Sequence, residues 1–70
     1  MIIIPVVHVH MWKGISDNAV EKIIEGITQV FVNMGIPTQA VEVIVHEIPK
    51  SHWGIDGKPA TKSRPDSIPP

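Results

Sequence analysis

The 70-residue sequence contains no cysteine, no tyrosine and a single phenylalanine. Disulfide bonds are therefore excluded as a source of stability. A chain of this length buries only about 60% of the surface that its unfolded form exposes, so small domains usually rely on a disulfide, a metal or a partner chain. Because 43% of the residues are hydrophobic and only 19% are charged, we expect the chain to associate with copies of itself.

The sequence also lacks an excess of charge of either sign. Six Lys and Arg residues stand against seven Asp and Glu residues, which gives a net charge of −1. Binders of nucleic acids and anionic membranes need a basic surface, so we expect neither partner. No hydrophobic run approaches the roughly 18 residues that span a bilayer, and the apolar start has no basic segment typical of a signal peptide. We therefore expect a soluble, cytoplasmic protein.

Hydrophobic periodicity predicts two strands and one long helix. Residues 2–12 are largely β-branched or aromatic and alternate with a period of two, which is typical of a strand. Ser16 is a suitable helix N-cap, and apolar residues then recur every three or four positions until Gly35, a suitable C′ residue. Residues 41–47 alternate again and predict a second strand.

Two strands joined by a helix predict a right-handed β-α-β unit. The strands are then parallel, and the helix covers one face of their sheet. The other face carries His8, His10, Glu42 and His46 among apolar residues. We expect this face to contact other subunits.

The C-terminal third predicts a short hairpin and a tail. Asp56 and Gly57 favour a type I′ turn, which places a hairpin within residues 51–58. Residues 65–70 contain three prolines and no apolar period, which predicts a flexible tail. Residues 1–64 are therefore expected to form one domain, in which residues 1–4 are an extension before Pro5.

Several short motifs follow one another in a fixed order. They are Pro5-Val-Val-His-Val-His10, Gly14-Ile-Ser-Asp17, the long helix, Val41-Glu-Val-Ile-Val45, and Lys50-Ser-His-Trp-Gly-Ile-Asp-Gly57 with Thr61-Lys62. From Pro5 to about Arg64 their order and spacing resemble the 4-oxalocrotonate tautomerase family. The resemblance implies an α+β fold, a tautomerase/MIF-like subunit with two parallel strands, one long helix and a short hairpin. It also implies a homo-hexamer built as a trimer of dimers, with no metal and no organic cofactor.

The resemblance further implies an isomerase that moves a proton between the keto and enol forms of a small 2-oxo or enol acid. In the family an N-terminal proline is the general base, and Pro5 takes that position. A free α-amino group has a pKa near 8, which an apolar pocket lowers, so it is a base near neutral pH. Here Ile4 precedes Pro5, so the nitrogen belongs to a tertiary amide and is no base unless residues 1–4 are removed. The alternative is that Pro5 only begins a strand, where a missing N–H costs nothing.

The remaining site positions are also carried over from the resemblance. The family's two substrate-binding arginines fall at Ile15 and Glu42, and neither side chain replaces a planar cation that binds carboxylates. The aromatic position is Trp53, which could line a substrate pocket or anchor a subunit interface. Lys13 and Lys50 flank the expected pocket and could act as weaker point charges or cover exposed turns.

Two hypotheses follow for function, and two for the histidines. The chain is either a tautomerase-like isomerase, or a non-catalytic homologue or subunit of a hetero-oligomer whose partner supplies the arginines.

His8, His10 and His46 could ligate a metal, but two histidines on one strand lack an assured third ligand, so we expect them to stack without metal. A histidine could also replace the missing base.

Overall fold

The chain, described by a computed structural model over residues 4–69, forms a β-α-β unit followed by a hairpin and a short helix. The principal elements are β1 (Val6–Trp12), α1 (Asp17–Val32), β2 (Glu42–Ile48), β3 (Gly54–Ile55), β4 (Lys58–Pro59) and α2 (Ala60–Ser63). Single 3-10 turns lie at Thr38–Ala40 and Lys50–His52. The predicted α+β class and element order are confirmed.

The two long strands are parallel, as predicted, and their register fixes the two faces of the sheet. Val7 is opposite Val43 and Val9 is opposite Val45, and these four side chains are partly buried on one face. His10 is opposite His46 on the other face. Helix α1 contacts β2, so the valine face is the one that the helix covers.

The first strand is shorter than predicted. Strand β1 begins at Val6 rather than at residue 2, because β2 begins at Glu42 and the ladder has no earlier partner. The last bond at this end runs from the Glu42 N–H to the Pro5 C=O, 3.0 Å away. Residues 2 and 3 lie outside the described residues.

Both ends of α1 are capped by the residues that the sequence suggests. The Ser16 hydroxyl accepts a hydrogen bond from the Ala19 N–H at 3.1 Å. At the other end the Gly35 N–H donates to the Val32 C=O at 3.0 Å, and the Ile36 N–H donates to the Phe31 C=O at 3.1 Å. These two bonds define a Schellman motif with Gly35 at C′, where its φ of +96° favours glycine.

The predicted hairpin is confirmed at Gly54–Ile55 and Lys58–Pro59, which pair antiparallel around a two-residue turn. Asp56 and Gly57 have φ values of 54° and 76°. Positive φ at both central residues is the signature of a type I′ turn.

The described chain leaves much of its apolar surface exposed. Only Ile15 and Ala60 are buried among residues 4–69, at 7% and 0% exposure. The total accessible surface is 5169 Å², whereas a compact monomer of this mass exposes about 4,300 Å². Val6 and Ile44, on the histidine face, are 48% and 42% exposed. The fold therefore provides an uncovered sheet face, as predicted for a subunit. Within residues 4–69, no helix is long and apolar enough to cross a membrane.

One glycine inside α1, Gly26, and one just after it, Gly35, allow a matched test of the C-terminal cap. A methyl group on either Gly26 or Gly35 would meet no atom within 4 Å, but only Gly35 has positive φ. We expect Gly35→Ala to lower the free energy of unfolding by about 1–2 kcal/mol. Gly26→Ala, in the middle of α1, should raise it by about 0.5–1 kcal/mol. Urea unfolding of both variants at one protein concentration measures the difference, and equal effects would contradict this assignment of the cap.

Candidate active site

Pro5 and Glu42 meet at the end of the sheet where both long strands begin. The Pro5 ring is half-buried, the Glu42 side chain is exposed, and their backbones are joined by the 3.0 Å hydrogen bond. The preceding Ile4 is 57% exposed. In the chain as written the Pro5 nitrogen is part of an amide, so its lone pair is delocalised into the carbonyl. This end of the sheet therefore holds a carboxylate and a proline that needs a free amine to accept a proton.

The other predicted site residues lie at the opposite end of the sheet. Lys13 directly follows β1, is exposed, and donates its backbone N–H to the Ile48 C=O at 2.8 Å. Ile15 is part of the core, at 7% exposure. Strands of seven residues are about 23 Å long, at roughly 3.3 Å per residue. One chain therefore does not bring Pro5 together with Lys13 or Ile15.

Trp53 lies at this second end and forms a pocket with Trp12. The two indole rings meet edge to face, with centroids 6.2 Å apart and planes at 82°. Beside them is a cavity of about 280 Å³ lined by His10, Met11, Trp12, Trp53, Ile68 and Pro69. Trp53 therefore lines a pocket within its own chain.

Trp12 is the residue of this pocket that the sequence does not reveal, and Lys50 lies beside it. Trp12 alternates with the histidines on β1, but its contact with Trp53 depends on the 3-10 turn at Lys50–His52 that redirects the chain after β2. The Lys50 ammonium lies 4.7 Å from the centre of the Trp12 ring, a cation–π arrangement. The same ammonium donates hydrogen bonds to the backbone carbonyls of Arg64 and Ser67. Lys50 is half-buried, whereas Lys13 is exposed.

The three histidines of the uncovered face are stacked within one chain. The ring of His46 lies between the other two, with centroids 5.1 Å from His8 and 4.6 Å from His10 and nearly parallel planes. His8 Nδ1 and His46 Nε2 are 2.8 Å apart, so one of these nitrogens donates and the other accepts through its lone pair. Of the three, only His10 lines the pocket.

The fold, with Pro5 just before the first strand, is that of a class of small β-α-β subunits. Comparison with known proteins assigns the chain to the same class. The family model described as "Tautomerase enzyme" matches residues 5–63, beginning at Pro5. The chain belongs to the tautomerase family.

Individual relatives lie in the same family. A 2-hydroxymuconate tautomerase of Pseudomonas sp. (strain CF600) is 33% identical over 61 residues, covering 86% of this chain and 97% of the relative. A probable tautomerase of Ralstonia nicotianae is also 33% identical over 61 residues, with 86% and 87% covered. A solved structure of 4-oxalocrotonate tautomerase isozymes from Methylibium petroleiphilum has a TM-score of 0.80 at 30% identity, covering 86% of this chain and 98% of that one. These findings confirm the predicted resemblance and fold.

The edge-to-face indole pair predicts a measurable coupling between Trp12 and Trp53. Aromatic pairs in this arrangement contribute about 0.5–1.5 kcal/mol beyond the area they bury. We expect Trp12→Leu and Trp53→Leu to be non-additive by that amount in the free energy of unfolding of the double variant. Trp12→Leu combined with Val30→Ala, at a position 57% exposed on α1, is the additive control. Additivity of the two tryptophan substitutions would show that the rings do not interact.

Proposed function

We propose that the protein is a tautomerase-like isomerase that interconverts the enol and keto forms of a small 2-oxo or enol acid. The observation that carries the proposal is the family match over residues 5–63, which begins at the proline that would be the base. The β-α-β fold and the aromatic pocket at Trp53 support it. We further propose that the enzyme acts in the cytoplasm and needs no cofactor.

The proposed chemistry requires Pro5 as a free secondary amine, so it requires cleavage before Pro5. The amine then accepts the proton of the enol hydroxyl, and the oxygen electrons form the carbonyl. The carbon–carbon double bond takes a proton back at carbon from the protonated amine. Proton transfer of this kind accelerates a reaction by about 10²–10⁴-fold. The half-buried position of Pro5 favours the neutral, basic form of the amine.

Assembly of the site requires more than one chain. Pro5 and Glu42 lie at one end of the sheet, whereas Lys13, Ile15 and Trp53 lie at the other. We propose a homo-oligomer, a hexamer arranged as a trimer of dimers, in which the Trp53 end of one subunit meets the Pro5 end of another. The exposed apolar residues of the histidine face support this arrangement, because such a face is stable when a partner covers it.

The residues at the two former arginine positions favour a substrate with one carboxylate. Glu42 is an exposed acidic residue at the same end of the sheet as Pro5, and its charge repels a second carboxylate. Ile15 is buried and offers no charge. A monoacid such as phenylenolpyruvate avoids both problems.

The same observations support one alternative. A chain that keeps residues 1–4 has no basic nitrogen at Pro5, and Ile15 and Glu42 provide no guanidinium. Such a chain would be a non-catalytic homologue, or a subunit of a hetero-oligomer whose partner contributes the arginines.

The first test is the N-terminus of the natural protein and the activity of a chain that begins at Pro5. We expect this chain to ketonise phenylenolpyruvate, monitored by the loss of enol absorbance, because its nitrogen is a free amine. Replacing that proline by alanine in the same chain should lower kcat/KM by about 10²–10⁴-fold. Intact mass and N-terminal sequencing of protein from its native source show which form occurs.

Two outcomes would overturn the isomerase proposal in favour of the alternative. One is the absence of activity above the uncatalysed rate in the chain that begins at Pro5. The other is equal activity of the proline and alanine chains, because the base would then lie elsewhere.

The charge at position 42 predicts a change in substrate preference. In the chain that begins at Pro5, Glu42→Arg places a planar cation beside the base. We expect kcat/KM for 2-hydroxymuconate, a dicarboxylate, to rise by about tenfold or more, the effect of one charge-assisted hydrogen bond. Glu25→Arg makes the same charge change on an exposed helix position and is the control. An equal increase in both variants would mean that net charge, and not position 42, controls the preference.

A further inference from the structure

Residues 64–69, here called the strap, follow the part of the chain that the family model matches, which ends at residue 63. The strap folds back along the edge of the Trp12–Trp53 pocket. The side chains of Ile68 and Pro69 line the cavity. The Pro69 ring also lies 3.4 Å from the position that a methyl group on Gly14 would occupy, so the strap closely approaches the turn after β1.

One side chain connects the strap to the pocket wall. The Lys50 ammonium has three N–H donors, of which two bind backbone carbonyls of the strap, at Arg64 and Ser67. Its positive charge lies 4.7 Å from the centre of the Trp12 ring. Lys50 therefore links both halves of the pocket by charge-assisted hydrogen bonds and a cation–π contact.

The strap borders the pocket without filling it, and its Ile68 is itself 84% exposed. A cavity of about 280 Å³ remains when the strap is in place, close to the lower end of the range typical of small-ligand sites. The strap therefore adds an apolar wall to the pocket.

The lining chemistry indicates what such a pocket would bind. Five of its six side chains are apolar or aromatic, and two of them are indoles. The hydrogen-bonding groups among these side chains are the imidazole of His10 and the indole N–H groups, and no carboxylate is present. Trp12 Nε1 is buried and has no hydrogen-bond partner among the described residues. A flat apolar ring matches the two indoles, and the exposed imidazole of His10 at the pocket edge is the group that can donate a hydrogen bond to one acidic group of the ligand.

We propose that the strap, held by Lys50, forms the outer wall of the Trp12–Trp53 pocket and restricts it to ligands that carry one aromatic ring and one carboxylate. This inference rests on the proposed function, because the natural ligand of the pocket would be the substrate of the isomerase. Binding, however, can be measured without turnover. Lys50 acts as a positioning residue, because it holds the strap and does not itself touch the ligand.

Tryptophan fluorescence reports directly on this pocket, because Trp12 and Trp53 are the only tryptophans in the sequence. The probe is phenylacetate, an aromatic monocarboxylate with no enol to convert, and the comparison ligand is adipate, an aliphatic dicarboxylate. We expect phenylacetate to change the fluorescence saturably and adipate to bind at least about tenfold more weakly. Truncation after Arg64 should weaken phenylacetate binding by about tenfold, because an apolar wall is lost.

A second pair of variants keeps the test decisive if the truncated chain does not fold. Lys50→Met keeps an unbranched apolar side chain and removes the ammonium group, so it should weaken phenylacetate binding and increase quenching of the tryptophans by acrylamide. Lys58→Met, at an exposed position of β4, should leave both within about twofold. Unchanged or tighter phenylacetate binding after truncation or in Lys50→Met would overturn the proposal, as would equal binding of adipate. Inactivity of the chain that begins at Pro5 would leave these binding results unaffected and would count only against the isomerase.

Discussion

The parallel pairing of β1 with β2 is the constraint on which the rest of the structure depends. Parallel neighbours need a crossover, and α1 supplies it while covering the valine face of the sheet. With one helix and two long strands, the opposite face has no cover within the chain. The small buried core and the large accessible surface follow from this arrangement.

The same pairing determines where chemistry can take place. Because the strands run in the same direction, Pro5 and Glu42 lie together at their starts, and Trp12, Lys13 and Trp53 lie together near their ends. A proton-transfer site needs its base and its binding pocket within a few ångströms of each other. Within one chain they are separated by about the length of a strand, so the proposed site would need a second subunit to be complete.

Much of the fold could be predicted from local signals in the sequence. Ser16, Gly35 and the pair Asp56-Gly57 act through their own backbone conformations and nearest neighbours, and the structure has the caps and the turn that they predict. Among the described residues, β1 begins at Val6 and not earlier, because its partner β2 begins only at Glu42. The contact of Lys50 with the strap joins residues 14 and 17 positions apart. Neither periodicity nor resemblance carries that information, since the strap lies outside the family match.

The departures from the family pattern are chemically consistent with one another. A site without arginines at positions 15 and 42 loses the planar cations that recognise two carboxylates. In the same chain, the aromatic position is a tryptophan that meets a second tryptophan, and Ile68 and Pro69 of the strap line the same pocket. A ligand can gain affinity for a site either by burying an aromatic ring or by having a second carboxylate bound. Burial of a ring needs no charged residue in the site. The replaced arginines, the indole pair and the strap therefore all favour an aromatic ligand with one carboxylate. The proposed chemistry still requires a free amine at Pro5, which the chain gains only by cleavage before that residue.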